Sequence, residues 1–163
     1  MTAPELAPVL EGADYVEFKE IEGEVSLREF VAGMLGWSPG WLKALFAARY
    51  LLARALRLDT ADIPRRARIR PETVSFTPGD KASVFTVRSG DEDRYLIVGA
   101  DDNHLTAHLT IVAEPVSGGR KRFQVGTIVH YHRKAGPAYF AVIRPFHHLV
   151  IRGMLKAGVA RTA

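Results

Sequence analysis

All six histidines of this chain lie after residue 100: His104, His108, His130, His132, His147 and His148. Imidazole titrates near neutrality and binds divalent metals, so such a concentration could supply acid–base catalysis or a metal site. Strand geometry tests both readings. Leu105, Ala107, Leu109 and Ile111 alternate with His104, Thr106, His108 and Thr110, which predicts the two histidines on the outer, wetter face of a strand. For the next strand the turn decides. A two-residue turn at Gly118-Gly119 would send His130 and His132 inward beside Leu105 and Ala107. A three-residue turn at Ser117-Gly-Gly119 sends Val125, Val129 and Tyr131 inward and sets His132 opposite His104 outside. The apolar content of that strand favours the second register. His104 and His132, with His130 as a third, could then bind a metal externally, but the one nearby carboxylate is Asp102 at a turn, so ordinary surface histidines and no metal are expected.

His147 and His148 follow Pro145. One of them could point inward as an acid or base, helped by Asp101 or Tyr131; otherwise both bond backbone at the helix start or the sheet rim. The stripe through Phe146, Leu149 and Val150 leaves both off its centre, which favours the rim. His104, His132 and His147 are thus the candidate polar site, and no catalytic residue is assigned. Asp101-Asp102 could form an acidic pair, although its place before Asn103 reads as a tight turn. No G-x-S-x-G, P-loop or G-x-G-x-x-G occurs, and no cysteine, which excludes disulfides, thiolate nucleophiles and Cys-ligated metals; no cofactor is expected.

The elements that must position these residues are legible in order. Residues 1–13 hold two prolines and read as a loose, flexible arm. From Asp14 the chain alternates, which predicts a strand with Val16 and Phe18 on its buried face. Ser26 and Glu29 form a capping box that starts a helix to about Leu35. Ser38-Pro39 opens a second helix from Gly40 to about Leu58, with Lys43, Arg54 and Arg57 on one side and Trp41, Leu45, Leu52 and Leu56 available to a core. A membrane-surface or dimer role for this helix competes with plain core packing, which is favoured. A basic crossover runs from Asp59 to Pro71. Six strands then follow: Glu72–Phe76, Ala82–Arg88, Arg94–Ala100, His104–Glu114, Lys121–Tyr131 and Ala138–Arg144, the last running into a helix from Pro145. That helix carries Phe146, Leu149, Val150, Gly153, Met154 and Ala157 on one stripe.

This order, β-α-α-β6-α, predicts an α+β helix-grip fold: a bent seven-stranded antiparallel sheet wrapped around a long C-terminal helix, as one domain over residues 14–160. The net charge of +4 comes largely from Pro64–Arg70 and Arg120–Arg122 and reads as a solvated face, so no nucleic-acid partner is expected. No secretory leader pattern and no run of eighteen apolar residues occurs, which predicts a cytoplasmic protein without a transmembrane segment.

Pro39-Gly-Trp41, Pro64-Arg-Arg66 with Pro78-Gly-Asp80, Asp102-Asn-His-Leu105, and above all Tyr139–Leu155 resemble the DUF2867 family of bacterial domains, which looks related to the Bet v 1-like, START and polyketide-cyclase superfamily. The resemblance spans the chain from about Asp14 on. It implies a ligand-cavity fold and carries over no catalytic residues. Some relatives place such a domain after a dehydrogenase-like domain; with no G-x-G-x-x-G here, a nicotinamide role would need a partner protein. The expected function is non-covalent binding of a small apolar or amphipathic molecule in a hollow lined by Val16, Phe18, Leu96, Val98, Leu105 and Leu109, with Tyr131, Phe140, Phe146, Val150 and Met154. The alternatives are an enzyme of cyclase, hydrolase or dehydratase type using a cavity His or Tyr, and a protein–protein module with residues 40–58 as its interface. A homodimer is compatible with either.

Overall fold

The computed structural model describes residues 3–57 and 69–160. A 3-10 turn at Pro4–Leu6 leads into the short helix α1 (Ala7–Leu10), then β1 (Tyr15–Gly23), α2 (Leu27–Gly36) and α3 (Leu42–Ala55). After a 3-10 turn at Pro71–Thr73 come β2 (Lys81–Ala82), β3 (Phe85–Asp91), β4 (Tyr95–Asp101), β5 (Leu105–Pro115) and β6 (Lys121–Tyr131), and the chain closes with α4 (Ala135–Val159). The strands form one antiparallel sheet in the order β1-β6-β5-β4-β3-β2, with α4 against its inner face. This is the expected α+β helix-grip architecture, built with six strands.

Two expected strands are absent. Glu72–Phe76 forms part of the 3-10 turn and an irregular stretch, and the pair that precedes β3 is Lys81–Ala82. Ala138–Arg144 is helical, because α4 starts at Ala135 and runs through Pro145. Local β-branched content at Val142 and Ile143 is overridden by packing: Tyr139 and Phe140 are buried on the same side as Ile151, Leu155 and Gly158. Proline costs one internal hydrogen bond, and burial of both halves holds the helix across it. The crossover expected from Asp59 lies outside the described residues as far as Arg68, as does Leu58, the expected end of the second helix.

Other elements form as their sequences dictate. Ser26 Oγ accepts from the Glu29 amide at 3.1 Å while the Glu29 carboxylate accepts from the Ser26 amide at 2.7 Å, closing the capping box. Ser117–Gly119 makes the three-residue turn, with Gly118 and Gly119 at φ 75° and 73°, and Leu105 pairs with Tyr131 as that turn requires.

Pro4–Leu10, within the stretch read as a loose arm, is helical, and Leu6 is fully buried against Ile97 and Val112 on the outer face of the sheet. Phe18 joins this outer cluster, and Val16 is 42% exposed, so both point away from α4 and correct the expected facing of β1. The register explains the choice. Asp14 receives the Tyr131 amide on Oδ2 at 2.7 Å and donates its own to the Val129 carbonyl at 2.9 Å, which fixes Tyr15 opposite Val129 and Phe18 opposite Gly126. A Cβ on Gly126 would stand 2.5 Å from the Phe18 ring and 2.4 Å from Thr110 Oγ1. Gly126→Ala is therefore expected to cost about 1–3 kcal/mol by overpacking, read from the midpoint of urea denaturation at unchanged slope.

Candidate functional site

With Val16 and Phe18 outside, the inner face of β1 presents Tyr15, Glu17, Lys19 and Ile21 beneath α4, in a β1–β6 register that sets Glu17 opposite Thr127. From above, α4 contributes His147 and His148. Their placement follows from the true start of the helix. Because its phase is set by Tyr139, Phe140 and Ile151, His147 falls on the buried side, and the expected rim position is corrected: its Nε2 lies 3.0 Å from Thr127 Oγ1 on the inner face of β6.

Glu17 is the hub of the band. Its carboxylate accepts from Lys19 Nζ at 2.6 Å and from the Tyr15 hydroxyl at 3.2 Å, and His148 Nδ1 stands 3.0 Å away. Partial burial pushes the Glu17 carboxyl upward, but the Lys19 hydrogen bond and charge, His148 and the Tyr15 hydroxyl outweigh it and hold the group below the ordinary glutamate value. Tyr15 is pushed up, first by burial and then by the Glu17 charge. Burial drives His147 down to about 4, against a smaller opposing pull from Glu17, so near neutral pH it is an uncharged imidazole. The band thus holds an ionised carboxylate, an ammonium and a neutral imidazole within one layer. It can orient a polar group, and it contains both a proton acceptor and a proton donor.

Apolar clusters flank the band at both ends. One gathers Phe30 and Met34 from α2, Phe123 and Ile111 from the sheet, and Ile151 and Leu155 from α4; Phe30 and Phe123 stack with ring centroids 4.1 Å apart. The other joins Leu105, Val129, Tyr139 and Phe140 with Ala53 of α3, and Tyr15 and Tyr131 pack against it.

Among the residues expected to line a hollow, Leu96, Val98, Leu105 and Leu109 are buried on the inner face, and Tyr131, Phe140 and Met154 belong to the two flanking clusters. Val150 is half-buried, and Phe146 is 50% exposed on the outer side of α4, which removes it from the floor of any hollow. Sequence reasoning misses Tyr15, Glu17, Lys19 and Thr127; the signal for them is the odd-numbered face of β1, decided only once the β1–β6 register is known.

The other histidines separate. His132 is exposed on the outer face, as expected, with Nε2 2.7 Å from Thr106 Oγ1, which donates to Asp101, itself paired with Arg88. His108 and His130 also lie outside, with rings 5.7 Å apart, and His130 Nε2 is 2.9 Å from the Val9 carbonyl. His104 departs from expectation. It precedes β5, so strand alternation does not govern it, and its ring turns under α4 to sit edge-on to Tyr139 at 4.9 Å, 1% exposed. Burial lowers its pKa, so it is neutral beside the Arg49, Tyr139 and Asp102 group, in which Arg49 donates to the Tyr139 hydroxyl and lies 3.6 Å from Asp102. Candidate polar residues His104, His132 and His147 therefore occupy three separate places. Among the described residues no group of three or more His, Cys, Asp or Glu is arranged to hold a metal ion.

A family model described as "Protein of unknown function (DUF2867)" matches residues 9–154. Among solved structures, the chain is similar to the hypothetical protein jhp0584 from Helicobacter pylori (12% identity, 98% of this chain and 95% of that one, TM-score 0.48). It is also similar to Ara h 8.0201 (9%, 90% and 99%, 0.43) and to a truncated norcoclaurine synthase from Thalictrum flavum (15%, 91% and 95%, 0.42). No curated protein matches the sequence.

Proposed function

We propose, from the premise that this chain belongs to the DUF2867 family, that it binds a small amphipathic molecule between the sheet and α4. The observation that carries the reading is the inner band of Glu17, Lys19, Thr127, His147 and His148 set between two apolar clusters. A polar group of the ligand would exchange hydrogen bonds with Lys19 and Glu17, and its apolar part would lie against the Tyr131 and Phe140 cluster. Burial there is worth about 25 cal/mol per Å² before association costs. A half-buried charge favours a partner that replaces its hydrogen bonds, which makes the band the source of selectivity.

Native mass spectrometry of protein purified from cells tests this. A co-purifying mass is expected on the wild type and weakened on Lys19→Met by about 10-fold or more in affinity, since a hydrogen bond to a charged group contributes roughly 1.5–3 kcal/mol. A bare protein whose melting temperature no amphipathic probe shifts would refute the reading.

One observation supports a second reading, an acid–base enzyme of cyclase, hydrolase or dehydratase type: the neutral His147 imidazole lies in the same layer as the ionised Glu17 carboxylate. In that case turnover would fall with His147→Gln while binding of the unreacted ligand persisted.

A further inference from the structure

Two of the helices on the inner side of the sheet, α3 and α4, are charged in one sense only, whereas α2 carries the exposed Glu29. No Asp or Glu occurs from Trp37 to Arg57 or from His132 to Ala160, so α3 and α4 carry none of the chain's 18 acidic residues. Apart from Arg49, which faces Asp102, and Arg144, which lies near Tyr15 and Tyr131 at the sheet, their exposed charges are Lys43, Arg54 and Arg57 around α3 and Arg152 and Lys156 on α4. The two helices run antiparallel: Trp37, just before α3, covers Gly153, and Ala53 near its end packs with Tyr139.

The same side holds the exposed apolar side chains. Trp41, Tyr50, Leu51 and Leu56 around α3, and Val142, Phe146 and Leu149 on α4, keep between 38% and 64% of their surface in water. Of the large apolar side chains left exposed among the described residues, only Val16 and Val84 lie elsewhere. Isolated exposed leucines need no explanation, but this concentration on two helices whose charges are all cationic does.

We propose that the α3–α4 face docks peripherally on an anionic lipid bilayer. A second copy of the chain fits poorly, because pairing this face with itself sets cation against cation. Nucleic acid would answer the charge but leave Leu51, Val142 and Leu149 without a partner. An anionic bilayer answers both, since basic side chains meet lipid phosphates while Trp, Phe, Leu and Val enter the boundary below the headgroups. No helix among the described residues is long and apolar enough to cross a membrane, so the contact lies in the interface plane.

Co-sedimentation with vesicles tests the proposal. The full chain is expected to sediment with mixed phosphatidylcholine and phosphatidylglycerol vesicles, to stay in solution with phosphatidylcholine alone, and to be released by salt. Arg152→Glu with Lys156→Glu lowers partitioning roughly 10-fold or more, and Phe146→Ser with Leu149→Ser lowers it by about as much. Lys81→Glu with Arg88→Glu, an equal change of net charge at the other edge of the sheet, leaves it within about twofold of the wild type. Circular dichroism melts confirm that each variant is folded; were the reversed pair unfolded, Arg152→Gln with Lys156→Gln replaces it. The proposal is overturned if the wild type ignores anionic vesicles at low ionic strength, if it binds duplex DNA or an acidic polypeptide in their place, or if the control pair loses as much as the α4 pair.

Discussion

Lowering the pH from 7 to 4 is expected to cost the fold roughly 3 kcal/mol through His147 alone, the gap between an ordinary imidazole and one held at about 4, and His147→Gln is expected to remove that dependence. The sign follows from proton counts. The folded pKa is depressed, so between about 6.5 and 4 the unfolded chain binds a proton that the folded chain refuses, and stability falls as the pH drops through that window. Above it both states are neutral and the cost vanishes. The cause is desolvation: the His147 side chain points from α4 toward the sheet with Nε2 on Thr127, and the Glu17 charge opposes the shift only in part. His104 and His108 are depressed in the same direction by burial, and Glu17 adds a loss at lower pH, so the wild type alone does not isolate His147. The difference between wild type and His147→Gln does. Urea titrations of both at pH 7, 6, 5 and 4 give it, and parallel curves would show that His147 takes up its proton without resistance and is not enclosed.

His147 also illustrates what one sequence can decide. Where a signal is local, the reading matches the structure: Ser26 and Glu29 cap α2, and two glycines after Ser117 set the β5–β6 register and send His132 outward. Where a signal is a period without an origin, it does not. The alternation of β1 says that Val16 and Phe18 share a face, and nothing local says which face meets the helix. That is decided at a distance, by Gly126 opposite Phe18 and by Leu6 covering the outer side of the sheet. The phase of α4 is lost in the same way. Val142, Ile143 and Pro145 suggest a strand that ends before a helix, yet the burial of Tyr139 and Phe140 makes one continuous helix and rotates His147 inward. Each misreading displaces part of the same polar band, so the site is the least legible region of the molecule even though the fold class is plain.

Phe30→Ala is expected to have the largest effect of any single substitution in the core, a loss of about 3–5 kcal/mol of stability. Phe30 is fully buried, stacked flat on Phe123, and its ring also lies where a Cβ on Gly158 would stand, 2.6 Å away, so α2, the sheet and α4 all meet on it. Helix crossings held by a glycine relax poorly, because backbone and not side chain forms the wall, and a cavity that cannot collapse carries the full cost. The cavity would open beside Ile111, Ile151 and Leu155, in the apolar cluster that flanks Glu17 and Lys19. It is expected to stay dry and to admit a small aromatic such as benzene, as apolar cavities of this kind do. Urea denaturation of Phe30→Ala with and without saturating benzene measures both effects: a lowered midpoint partly restored by the probe. A loss below about 1 kcal/mol would mean that α2 and α4 close over the gap, and that the cluster beside the band is soft rather than a rigid wall.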